Sequence, residues 1–151
     1  MSLALIFHIL AAIIWIGGMF FSHMVLRPSA GALDQPTRLA LWGRVLGRFF
    51  MWVWLSIVAL LVSGFVMVFI GYGGFAVLPR NISLMMTVGV LMTAIFTYIY
   101  FGPWHRFGRS VVAADWAGAE HSIKKIRRLV GLNLLFGLAT VVLAAAGAYF
   151  S

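Results

Sequence analysis

The residues of this chain best suited to chemistry are two histidines in one apolar run. His8 and His23 lie in Leu3–Leu26, a stretch without Lys, Arg, Asp or Glu. Imidazole is a ligand for copper, iron and zinc, and an ionisable group at membrane depth is a candidate functional group. On a helix, positions 8, 12, 15, 19 and 22 share a face. That face carries His8, Ala12, Trp15, Met19 and Ser22. It combines an imidazole and a thioether with small residues that admit a flat macrocycle or a second helix. His8 and His23 are separated by about 22 Å of helix rise, so they cannot hold one ion within one chain. They serve two sites, or His23 is a polar residue at the membrane interface.

Met85 and Met86 open a later apolar run, and the topology argued below sets them at the depth of His8. A His and a Met facing each other across a bundle can ligate the iron of haem b axially, or hold copper(I). Met19 adds a further thioether to a copper path. The bland alternative stays open: Met is a common apolar filler, and a single His in a span can serve only as a hydrogen-bond partner. Arg44 and Arg48, one turn apart, can pair with haem propionates or lipid phosphates. They belong to the other end of the bundle, where His23 would be the better haem ligand.

Composition sets the environment of these groups. Of 151 residues, 64% are apolar and 9% charged, where soluble domains run near half and a quarter. A soluble enzyme and a disordered tail are both excluded. The absence of Cys removes disulfides, thiolate metal sites and iron–sulfur clusters. A formal charge of +8 is read as basic loops facing the cytoplasm and anionic lipid, with no role in nucleic-acid binding.

Four uncharged stretches of 20 to 24 residues, Leu3–Leu26, Phe49–Ile70, Ile82–Phe101 and Leu129–Phe150, can each cross a hydrocarbon core of about 30 Å as a helix. The expected fold is all-α: one integral membrane domain, residues 1–151, forming a four-helix bundle with helices at about 3–26, 36–70, 82–101 and 129–150. Arg27-Pro28 ends the first, Asp34 and Pro36 restart the second, Gly71-Tyr72-Gly73-Gly74 breaks it, Asn81 caps the third and Gly102-Pro103 stops it. Residues 117–130 read as an amphipathic segment at the headgroups, with Ile123, Ile126, Leu129 and Val130 opposite Lys124, Lys125, Arg127 and Arg128. Basic residues concentrate in 27–48 and 102–128, so both termini are expected outside, in the periplasm, with the chain in the bacterial inner membrane. The first span lacks a basic segment before Leu3 and is longer than the apolar part of a signal peptide, so it is read as a membrane helix. Gly43 and Gly47 read as a helix-packing pair, Asn133 as an interhelical hydrogen-bond former, and Trp52, Trp54, Trp104, Tyr72, Tyr98 and Tyr100 as interfacial aromatics.

The run Phe7-His8-Ile9-Leu10-Ala11-Ala12-Ile13-Ile14-Trp15-Ile16-Gly17-Gly18-Met19-Phe20-Phe21 resembles the first helix of CopD-type copper-resistance membrane proteins. Val25-Leu26-Arg27-Pro28, Leu39-Ala40-Leu41-Trp42 and Ile126-Arg127-Arg128-Leu129-Val130-Gly131-Leu132-Asn133 extend the likeness over most of the chain. A more distant likeness, an early His followed by Trp-x-x-Gly, is to the HemJ-type protoporphyrinogen oxidases. That resemblance implies haem b held by His8 and by Met85 or Met86, without the further polar residues that porphyrinogen oxidation needs. Three functions follow. The first is a haem b protein moving electrons to a quinone or periplasmic redox partner, with Trp15 packed on the porphyrin. The second is copper homeostasis through His8, Met19, Met85 and Met86, where a pore requires a homo-oligomer. The third is a non-catalytic membrane subunit.

Overall fold

The computed structural model describes residues 2–150, and residues 1 and 151 of the expected domain lie outside them. The chain forms four long helices: α1 (Ser2–Ala30), α2 (Gln35–Gly71), α3 (Arg80–Val112) and α4 (Trp116–Phe150). No strand occurs among the described residues. Each helix is long and apolar enough to span a bilayer, yet only 17% to 28% of its most apolar window is buried in the protein. The remaining apolar side chains, among them Leu3, Phe7, Ile13, Val58, Val90 and Leu135, point outward and need lipid as their solvent.

Where the helices begin follows local chemistry. Asp34 accepts a hydrogen bond from the Thr37 amide at 3.3 Å, capping α2 with Pro36 in its first turn. Hydrogen bonding from Thr37 holds the Asp34 carboxyl below its ordinary pKa. Asp115 caps α4 in the same way, accepting from the Gly118 amide at 3.0 Å. Ala114, just before it, takes a left-handed conformation with φ of 55°. Gly73 and Gly74, with φ of 76° and 122°, release the chain from α2 in a geometry that suits a residue without Cβ.

The helix boundaries differ from the sequence expectation in four places. Arg27-Pro28 and Gly102-Pro103 do not stop their helices. Each proline is absorbed at a wide π-type turn, Phe21–Leu26 ahead of Pro28 and Tyr100–Trp104 around Pro103, and the helix continues. A proline removes one amide donor and crowds the carbonyl a turn earlier, and a wider turn accommodates both effects. His105 Nδ1 then donates to the Tyr100 carbonyl at 2.6 Å. Asn81 does not cap α3, which starts at Arg80 after Pro79, so Asn81 sits inside the first turn. The basic segment 117–130 is the opening of α4 itself, and its Ile123, Ile126 and Val130 are buried against the other helices.

Neighbouring helices in sequence pair antiparallel, α1 with α2 and α3 with α4, and α4 also closes against α1 and α2. Aromatic side chains fill the interior between α2 and α3. Phe50 meets Phe96 and Trp104 edge-on at 5.3 and 5.2 Å, and Trp54 meets Phe96 and Tyr100 at 5.2 and 5.5 Å. Such pairs contribute about 0.5–1.5 kcal/mol each beyond their buried area. Trp54, Trp104 and Tyr100 therefore belong to this aromatic interior, while Trp52, Tyr72 and Tyr98 are exposed on the outer surface. Gly43 and Gly47 receive the rings of Phe107 and Trp104 rather than another helix backbone. Asn133 makes the interhelical bond expected of it, donating to the Met92 carbonyl at 3.2 Å.

Candidate functional site

His8 sits on the face of α1 turned to α2. Its Nδ1 lies 2.9 Å from Ser63 Oγ, and its ring edge lies over Gly64, where the lack of a side chain leaves it room. The Ser63 hydroxyl has one proton and lies close to the Ala59 carbonyl oxygen, one turn back on its own helix. With that proton directed to Ala59, Oγ accepts from His8 Nδ1–H. The ring is then the tautomer whose Nε2 keeps its lone pair. A histidine oriented by a hydrogen bond at one nitrogen, with a lone pair on the other, is the arrangement by which proteins orient metal-binding imidazoles. Ser63 was not anticipated from sequence. Its signal was available: a hydroxyl in an apolar span, among residues with few other polar groups.

The remaining candidates disperse. Gly137 lies between Ile16 and Met92, which sets these two residues at one depth. Eight residues earlier on each helix come His8 and Leu84, so Met85 and Met86 share the depth of His8. Met86 lines an open groove of about 350 Å³ with Phe75, Leu78, Ser83, Thr87 and Val90, none of which touches His8 in the contacts above. Met19 is 2% exposed and packed in the core. Trp15 is buried against Phe96, with ring centres 6.3 Å apart and planes at 75°. The Phe49 ring occupies the space beside Gly18, and the His23 ring lies on Gly131 of α4. Arg44 and Arg48 face outward from α2.

These positions bear directly on haem b. A porphyrin beside Trp15 and Gly18 would have to displace the Phe96 and Phe49 rings that pack there. The residues expected to hold haem do not fit it in this packing. Among the described residues, no group of three His, Asp or Glu side chains could hold a metal ion either. What the arrangement offers is one oriented imidazole, with thioethers at its depth on another helix.

Four long apolar helices with lipid-facing exteriors define a multi-pass membrane protein. The family model of copper resistance protein D (CopD) matches residues 43–147, more than half of the chain, and the chain belongs to that family. The match takes in most of α2 with α3 and α4, and α1, with His8 and Met19, precedes it. Comparison with curated proteins and with solved structures gave no match. The likeness to protoporphyrinogen oxidases finds no support among these comparisons.

Proposed function

We propose that this protein handles copper(I) in the membrane, with His8 Nε2 as the ligand that its fold presets. The family match over residues 43–147 is the observation that carries the copper reading. The His8–Ser63 bond singles out the residue. Copper(I) is a soft ion that accepts imidazole and thioether donors, so Met85 or Met86 is the natural second ligand. The reading requires one of these side chains to approach His8 from α3, whereas the His8 ring faces α2. Met19, sealed in the core, serves as packing. The basic stretches 27–48 and 102–128 favour an orientation with both termini outside, which puts His8 near the outer face of a bacterial inner membrane.

Cells carrying the chain, its His8→Ala variant or an empty vector are compared for growth and total copper across a copper series. The protein is expected to alter both, and His8→Ala to return them to the empty-vector values. The purified protein's reduced-minus-oxidised spectrum is recorded beside them. Equal copper phenotypes for the chain and His8→Ala would contradict the role of His8. A Soret band lost in His8→Ala would favour haem b over copper.

A further inference from the structure

The opposite end of the bundle collects hydrogen-bond donors. His23 and Arg27 lie one turn apart on α1, Arg38 and Trp42 one turn apart on α2, and Glu120 and Arg127 two turns apart on α4. Arg38 binds Glu120 at 3.2 Å and donates its other terminal nitrogen to the Leu33 carbonyl at 3.1 Å. Glu120 is thereby engaged. Arg127 lies over the Trp42 ring, its guanidinium carbon 5.9 Å from the ring centre. Arg27 and Arg38 are both close enough to Arg127 to act on it electrostatically.

Two atoms here lack what their chemistry demands. Arg127 Nε and Trp42 Nε1 are buried N–H donors with no acceptor among the described residues, and Trp42 is only 1% exposed. Buried donors are almost always paired, so orphans beside a surplus of guanidinium groups mark a place that wants negative charge. Among the described residues Glu120 is paired with Arg38, and neither Arg27 nor Arg127 has a carboxylate within salt-bridge distance. The cluster lies where α1 ends at Ala30 and α2 begins at Gln35, the level at which a bilayer presents its phosphates.

We propose that Arg27, Arg127 and Trp42 form a binding site for a phosphate-bearing anion at this end of the bundle. Arg127 presents Nε–H and a terminal nitrogen side-on to the phosphate, Trp42 Nε1–H is the further donor, and the Trp42 ring fixes the guanidinium plane. Arg27, exposed near the end of α1, adds a second positive charge beside Arg127. Lys124 and Arg128 on the exposed side of α4 supply only general attraction. The site stands apart from His8 and does not rest on the copper reading.

The test uses the full chain in nanodiscs of phosphatidylcholine, with and without phosphatidylglycerol, and reads the unfolding midpoint. Phosphatidylglycerol is expected to raise it, because a ligand of the folded state stabilises by mass action. Arg127→Gln should weaken apparent affinity roughly tenfold or more, the usual loss for a charge-assisted bond. Trp42→Phe keeps the ring, removes the donor and should weaken affinity less. Lys124→Gln removes the same charge from an exposed position and should leave the shift intact. If millimolar inorganic phosphate reproduces the shift in phosphatidylcholine alone, the site stands and its natural occupant is free phosphate. Should Arg127→Gln not fold, Arg27→Gln takes its place with the same expectation. No shift from either anion, or equal losses in Lys124→Gln and the arginine variant, would overturn the proposal.

Discussion

The two ends of the bundle hold their polar groups in opposite chemical states. Near the start of α1, His8 Nδ1 bonds Ser63 Oγ, and with the Ser63 proton directed to Ala59 the ring keeps a lone pair on Nε2. Near its end, Arg127 and Trp42 have N–H groups left over and no acceptor. A surplus lone pair suits an electron-poor ion, and a surplus of donors suits an anion. Each end lies among helices that an apolar bilayer requires to satisfy their polar groups internally. What remains unsatisfied after that requirement is therefore the informative part. It separates the proposed metal ligand from the proposed phosphate site without any change in fold.

The largest expected effects bear on the lone-pair end. Ser63→Ala leaves the His8 ring unoriented and should reduce copper(I) affinity roughly 10- to 100-fold, as loss of a supporting hydrogen bond does at metal sites. A competition titration against a coloured copper(I) chelator measures it. If affinity is unchanged, the two ends do not differ in the way described. At the donor end, Gly131→Val drives a side chain into the His23 ring, which lies on that glycine. Overpacking of this kind costs about 1–3 kcal/mol. The melting temperature should fall while copper(I) affinity per folded molecule stays constant, keeping the ends separable.

Smaller effects sharpen the frame that holds both ends. Ala114 adopts φ of 55°, a region that costs a residue with Cβ about 1–2 kcal/mol. Ala114→Gly relieves that strain but adds freedom to the unfolded chain, so the net gain should be about 0.5–1 kcal/mol by thermal unfolding. Asp34→Ala removes the cap of α2 and should lower the melting temperature slightly at pH 7. Because the folded carboxyl is held below its ordinary pKa, its contribution is present above the unfolded value of 3.8 and is lost as pH falls through the lower folded value. The melting difference between the two proteins should shrink over that acid window. A constant difference would mean that the charge of Asp34 is irrelevant to the cap.

Much of the fold was legible in the sequence because lipid makes a severe demand. Runs of apolar residues without charge identify four helices almost by themselves. Their ends were less legible, since Pro28 and Pro103 look like stops and only the wide turns at Phe21–Leu26 and Tyr100–Trp104 let the helices pass. The aromatic interior was misread for a similar reason. Trp54 and Tyr100 have the composition of interfacial residues, and only the facing of α2 against α3 shows that they pack inward. His8 could be found as an ionisable group in an apolar run. Ser63 lies 55 positions away in sequence, and no helical spacing links the two. Arg127 over Trp42 likewise joins two helices distant in the chain, so its basic run looked like a surface segment alone.

The central claim is that His8, and not His23, is the preset copper(I) ligand. Its most direct test is copper(I) titration of the purified chain beside His8→Ala and His23→Ala. The account predicts that His8→Ala loses at least tenfold in affinity and that His23→Ala, whose ring lies on Gly131, binds as the parent does. Equal affinity in the parent and His8→Ala, or a loss confined to His23→Ala, would contradict it.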